Sequence, residues 1–245
     1  MSLPEVAALQ QAAARVGVEL SADRAKKLLA YLDLLQRWNS AYNLTAIHDR
    51  GSMREHHLVD CLSVLPPLQR QQPGGGKLLD VGSGGGLPGV LIAAMRDDIT
   101  VTCIDTVGKK AAFIRQVAGV LQLRNLKVEH RRVESMRNQS FDVITARAFA
   151  SLPDFVRWTR HLLAEGGQWM AMKGQRPVDE LAQLPPDIDV FHVEPLPGLL
   201  PAERPGAGLA GCLGRGDEPS GETTFAHERC LVWMRPKLRY APATA

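Results

Sequence analysis

Apolar positions in the first seventy residues recur at helical spacing. Val6, Leu9, Ala13 and Val16 lie three or four apart, and after Ser21, a candidate N-cap, the residues Ala25, Leu28, Leu29, Leu32 and Leu35 form a second stripe. That helix is expected to close at Trp38, with NSAYNLT as the connector. A third helix is expected over Met53 to Leu65, stopped by Pro66-Pro67. Gln69 to Gly76, rich in glutamine and glycine, reads as a linker.

The texture then changes to short apolar runs. KLLDVG, TVTCID, LKVEHR, FDVITAR and GQWMAMKG read as strands, and Ile188 to Val193 and Cys230 to Met234 as two more. PGVLIAAMR, Val107 to Leu121 and Leu152 to Leu163 read as helices between them. Strands alternating with helices predict an α/β fold with a doubly wound, mostly parallel sheet. The expected organisation is a helical extension over 1–70 and an α/β domain over 77–240. Pro195 to Thr224, with five prolines and seven glycines, reads as a loop-like insertion.

Composition adds little to this picture. Apolar residues make up 45% and charged residues 22%, as in ordinary globular proteins, and the net charge of +3 does not announce a nucleic-acid binder. The four cysteines are widely spaced and no CxxC occurs, which suits a reducing compartment and argues against a zinc ribbon. The adjacent His56 and His57 do not form HExxH, and no metal is expected. The N-terminus has no basic start followed by an apolar block, and VLIAAM is too short to span a bilayer, so the expectation is a cytoplasmic monomer that meets no membrane.

The chemistry gathers at DVGSGGGLPG, Asp80 to Gly89, which holds five glycines between the first strand and the next helix. In an open α/β sheet that turn lies on the ligand-binding carboxyl edge, where backbone amides and a helix start face the ligand. No lysine follows the glycines, which excludes a P-loop. Gly84, Gly86 and Gly89 match the dinucleotide pattern GxGxxG, but Asp80 would repel a pyrophosphate and Pro88 removes a helix-terminal amide. A cationic adenosyl ligand, S-adenosylmethionine, suits the loop better, with Asp80 beside the positive group, Gly82 and Gly84 in contact, and Gly89 serving helix packing. Asp105, ending the second strand, is placed to accept from ribose hydroxyls or to cap the helix that follows. Val133 and Glu134 are placed to read an adenine edge, or Glu134 is a surface acid starting a turn.

LLDVGSGGGLPGVLIA, IDTVGKKAAFIRQV, RVES, ARAFASL and MKGQ, with RWNSAYNLT and HHLVDCL before them, resemble the glucose-inhibited division protein B family. These are bacterial methyltransferases of small-subunit ribosomal RNA. The resemblance runs from about Leu28 to Pro185 and resumes near His227. It implies a Rossmann-like methyltransferase fold with a seven-stranded, mostly parallel sheet and an N-terminal helical extension. It also implies methyl transfer from S-adenosylmethionine to N7 of one guanine in the 530 loop of 16S ribosomal RNA. Gly82, Leu87, Asp105, Val133, Glu134 and Arg147 match the family's cofactor-site positions. The family's basic residue before the histidine of its H-x-x-D element is His56 here, ahead of His57 and Asp60.

Guanine N7 carries a free lone pair, so this chemistry needs no general base, only alignment. Arg147 and Lys173, ending the fourth and fifth strands, are expected to position the cofactor carboxylate, guanine O6 or phosphates. Between Val107 and Arg137 eight cations face only Glu129 and Glu134. Among them Lys109, Lys110, Arg115, Arg131 and Arg132, together with Lys173, are the expected contacts to 16S ribosomal RNA, within the small subunit or an assembly intermediate. Asn39, Tyr42, Asn43 and Thr45 either cap helices or line the substrate cleft, and His57 and Asp60, one turn apart, are placed to pair.

Overall fold

The computed structural model describes residues 2–197 and 229–237. Seven strands form one sheet: β1 (Gly76–Val81), β2 (Ile99–Asp105), β3 (Leu126–His130), β4 (Phe141–Arg147), β5 (Leu163–Lys173), β6 (Ile188–Pro195) and β7 (Cys230–Pro236). Their order is β3-β2-β1-β4-β5-β7-β6. The first five run parallel, and β7 lies antiparallel between β5 and β6. Strand order reverses at the β1–β4 pair, and such a switch point opens a crevice at the carboxyl edge.

Period-two alternation divides the core between the two faces of the sheet. Leu78, Val101, Cys103 and Val143 belong to one apolar cluster, Leu79, Val81, Ile104 and Ile144 to the other. The first face is covered by α1 (Leu3–Arg15), α2 (Ala22–Tyr42), α5 (Leu65–Gln71), α6 (Gly89–Met95) and α7 (Gly108–Val120), whose buried residues share that cluster. The second face is covered chiefly by α8 (Leu152–Thr159), through Leu152, Phe155 and Val156. Residues of the N-terminal helices, from Val6 to Leu68, therefore share one continuous core with the sheet.

Between α2 and α5 the chain makes α3 (Arg50–Met53), a π-helical segment over Arg54–Val59 and α4 (Asp60–Leu62). Ser21 caps α2 by accepting from Arg24 N. The helix does not close at Trp38 but continues to Tyr42, because Trp38 finds partners on α7: its Nε1 donates to Gln116 Oε1 at 2.6 Å and its ring packs on Phe113. Asn43, at φ 50°, ends it. Pro66 and Pro67 do not stop a helix; they begin α5, where the first-turn amides are dispensable. The linker thus shrinks to Gln72–Gly75. A short α9 (Val178–Ala182) was not signalled by periodicity. Of the Pro195–Thr224 insertion, Pro195 closes β6, and 198–228 lie outside the described residues.

Candidate active site

The glycine loop turns sharply at the end of β1. Gly82, Gly84 and Gly86 have φ of 66°, 57° and 87°, a region that L side chains avoid. This geometry turns five of the amides inward, against the expectation of a bare amide cradle. Gly82 N and Ser83 N donate to Ile104 O, Gly84 N to Asp105 Oδ2 at 2.9 Å, and Gly86 N and Leu87 N to Ser83 O. Gly89 is a packing glycine: a Cβ there would sit 2.5 Å from Cys103 Sγ and 2.8 Å from Asp80 Oδ2.

Asp80 departs from its expected place beside a cationic ligand. Strand alternation turns it onto the helix-covered face, where it is fully buried behind the loop and accepts from Gly89 N at 2.9 Å. Its Oδ1 has no partner among the described residues. Burial pushes its pKa up to about 6, against the opposing pull of the Gly89 amide. Asp80 thus holds the loop onto the start of α6 and lines neither of the two cavities at this edge.

Those cavities meet at Gly82 and Ala148, which line both. The first, of about 370 Å³, lies between the glycine loop, the ends of β4 and β5, and the N-terminal helices. Gly82, Gly84, Leu87, Arg147 and Lys173 line it, joined by Tyr31, Thr45, His57, Met172 and Arg229. The second, of about 410 Å³, is lined by Asp105, Val133 and Glu134, by Lys110, Arg131 and Arg132, and by the rings of Phe149 and Trp158. Asp105 makes the expected contact at the helix start, Oδ1 accepting from Val107 N at 2.8 Å ahead of α7, and its Oδ2 also accepts from Gly84 N, a contact not foreseen. Val133 is buried and Glu134 exposed at a 3₁₀ turn following β3.

The strand-end cations are tied rather than free. Arg147 donates to His56 O at 3.1 Å and to Asp60 Oδ2 at 3.3 Å, and Arg229 also pairs with Asp60. Asp60 is therefore taken by two guanidinium groups and does not pair with His57. Lys173 Nζ lies 2.7 Å from Glu180 Oε2 and 3.0 Å from Ala150 O. Glu180 also accepts from Leu152 N, so Lys173 braces the loop between β4 and α8 instead of presenting a free charge to RNA. The cationic run itself divides. Lys110, Arg131 and Arg132 stand at the second cavity, and Lys109 and Arg115 are exposed on α7, whereas Lys127 stands at the start of β3, on the opposite edge of the sheet.

The connector residues act mainly on structure. Asn39 Oδ1 accepts from Thr45 N at 2.8 Å, and Thr45 Oγ1 lies 2.9 Å from His57 Nε2. Burial and the nearby Arg147 push the His57 pKa down to about 4, so the ring is neutral at physiological pH. Sequence reading missed Tyr31 and Arg229. Arg229 precedes β7, and only the antiparallel direction of that strand brings it beside Lys173 at the ligand edge.

The family model for GidB, rRNA small subunit methyltransferase G, matches residues 24–197. A ribosomal RNA small subunit methyltransferase G from Leptothrix cholodnii is 50% identical over 237 residues, spanning 96% of this chain and 97% of that protein. The crystal structure of TrmN from Thermus thermophilus shares the fold with a TM-score of 0.50 at 18% identity, over 72% of this chain and 48% of that one. Coclaurine N-methyltransferase, bound to N-methylheliamine and SAH, does so with a TM-score of 0.50 at 13% identity, over 80% and 68%. A methyltransferase lineage at this identity and coverage excludes the dinucleotide reading of the glycine loop, and the chain belongs to the GidB family of small-subunit ribosomal RNA methyltransferases.

Proposed function

We propose that this methyltransferase transfers a methyl group from S-adenosylmethionine to N7 of a guanine in the 530 loop of 16S ribosomal RNA. The junction of the two cavities at Gly82 and Ala148 carries this reading. A cofactor with an adenosine end and an amino-acid end needs two adjoining, chemically distinct compartments. The residues fit it. Asp105, Val133 and Glu134 would hold the adenosine end, offering carboxylate acceptors to hydroxyl and amino groups. Gly82, Gly84 and Leu87 would hold the other end in the first cavity, with Arg147 at its wall. When bound, S-adenosylmethionine supplies a methyl carbon activated by its sulfonium.

The chain's own work is then alignment and charge control. Orientation of reacting groups is worth roughly 7–11 kcal/mol in favourable cases, and N7 needs no base. N7 gains positive charge in the transfer, so an unbalanced cation beside it would oppose the reaction. Asp60 is shared by Arg147 and Arg229, and Glu180 offsets Lys173, which leaves one net positive charge at the wall of the first cavity, suited to the carboxylate of the methyl donor and held by Asp60 away from N7. Lys109, Lys110, Arg115, Arg131 and Arg132 supply the phosphate-facing charge. The substrate is the RNA within a small subunit or an assembly intermediate, met by a monomer in the cytoplasm. Among the described residues no helix is long and apolar enough to cross a membrane.

Incubation with labelled S-adenosylmethionine and unmethylated small subunits, followed by mapping of the labelled base, tests the proposal. Label at N7 of a 530-loop guanine is expected. Label elsewhere, or cofactor binding without transfer, would overturn it.

A further inference from the structure

One amide of the glycine loop is left over. Gly82, Ser83, Gly84, Gly86 and Leu87 all donate within the protein, but Gly85 N–H meets no acceptor among the described residues. Gly85 is partly exposed and lines the first cavity. The groups on either side of this amide are fixed. Gly84 N is held by Asp105, and Gly85 O accepts a 2.7 Å hydrogen bond from the Tyr31 hydroxyl. The N–H of the same Gly85–Gly86 peptide is held by Ser83 O at 2.7 Å.

Tyr31 comes from α2, outside the strand–loop–helix unit that carries the glycines. It is completely buried, and burial pushes its pKa well above 10, so the hydroxyl stays protonated and remains a donor. Tyr31 Oη and Leu35 Cδ1 lie 3.4 and 3.5 Å from where a Gly85 Cβ would stand, so α2 backs the loop on this side. A run of glycines has wide backbone freedom, and a peptide within it keeps one orientation only if something holds it.

We propose that Tyr31 is a positioning residue: holding Gly85 O from α2 while Asp105 holds Gly84 N, it brackets the intervening Gly84–Gly85 peptide, whose free Gly85 N–H receives the carboxylate at the amino-acid end of the methyl donor. This rests on the cofactor reading above. A backbone N–H to a carboxylate is a charge-assisted bond, stronger than a neutral one. Its strength depends on direction, which the anchors on either side, Asp105 at Gly84 N and Tyr31 at Gly85 O, limit.

The test compares two ligands that differ by the carboxylate alone: S-adenosylmethionine and its decarboxylated form. Titration calorimetry on the full chain is expected to show Tyr31→Phe weakening S-adenosylmethionine about tenfold while changing the decarboxylated ligand less than twofold. Equal losses for both, or no loss for either, would overturn the proposal. Failure of the wild-type chain to bind either ligand would instead refute the cofactor reading itself. A measurement on the wild type guards against a variant that misfolds. In protein labelled with ¹⁵N-glycine, the Gly85 amide resonance should shift strongly with S-adenosylmethionine and weakly with the decarboxylated form. Equal shifts would again overturn the proposal.

Discussion

Arg147, at the end of β4, lies 3.3 Å from Asp60 in the N-terminal helices, and the ion pair joins the catalytic sheet to the extension across one wall of the first cavity. The Asp60 side chain is 2% exposed and also pairs with Arg229. Removing the carboxylate leaves two guanidinium groups facing each other without their common partner. Asp60→Ala is expected to cost about 3 kcal/mol, the scale for breaking a buried pair from one side. Denaturant unfolding checks this. Arg229→Ala should cost less, because Asp60 keeps Arg147. Equal losses for the two variants would contradict the shared-carboxylate arrangement.

The loop glycines differ in what a methyl group would meet. At Gly84 a Cβ finds nothing nearer than Gly82 O at 3.9 Å, so Gly84→Ala carries only the conformational cost of positive φ, about 1–2 kcal/mol. At Gly82 a Cβ would run into the Phe149 ring in addition. Phe149 is held edge-on by Trp158, at 5.8 Å between centroids, and by Phe155. Gly82→Ala should therefore destabilise more than Gly84→Ala and weaken S-adenosylmethionine at least tenfold, since the shift falls where the two cavities join. The double variant Gly82→Ala/Phe149→Ala should recover part of the stability loss. A pair of costs that simply add would rule out the contact.

Much of this architecture is legible in the sequence because period-two apolar runs and positive-φ glycines are local signals. The seven strands and the loop between β1 and α6 follow from them. What closes the site is not local. Tyr31 looks like one more residue of an apolar stripe, and its hydroxyl meets Gly85 only after α2 folds over the sheet. Arg147 and Lys173 read as free strand-end cations until the fold supplies Asp60 and Glu180. Asp80 reads as a ligand contact, but alternation along β1 turns it inward. Signals of type and period survive in sequence; the partners of charges do not.

Two buried groups set opposing pH dependences. The His57 pKa falls from 6.5 unfolded to about 4 folded, so the unfolded chain binds the extra proton, and stability is lost as pH drops from 6.5 toward 4. The Asp80 pKa rises from 3.8 to about 6, so the folded chain binds the extra proton, and stability is gained as pH drops from 6 toward 3.8. Each effect is on the order of 3 kcal/mol, and they nearly offset. Single variants should unmask them. Relative to wild type, His57→Gln should gain stability on acidification from pH 6.5 to 4, and Asp80→Asn should lose it. Chemical unfolding at several pH values decides this; parallel pH profiles for all three proteins would be the contrary result.

The charge proposed to face RNA can be separated from charge elsewhere by position. Lys109 and Lys110 begin α7 beside the second cavity, while Lys127 stands at the start of β3 on the far edge of the sheet. Phosphate contacts release counterions, and each one contributes about 0.7–0.9 to the slope of log affinity against log salt. Replacing both Lys109 and Lys110 by alanine should lower the slope for small-subunit binding by about 1.5. Lys127→Ala removes the same kind of charge from the wrong edge and should leave the slope alone. Lys173→Ala should also leave it nearly unchanged, because Glu180 already answers that ammonium, yet methyl transfer should fall as the β4–α8 loop loses its brace. A salt slope that drops equally in all of these variants would mean that RNA meets diffuse charge over the whole surface, not a face defined by the carboxyl edge.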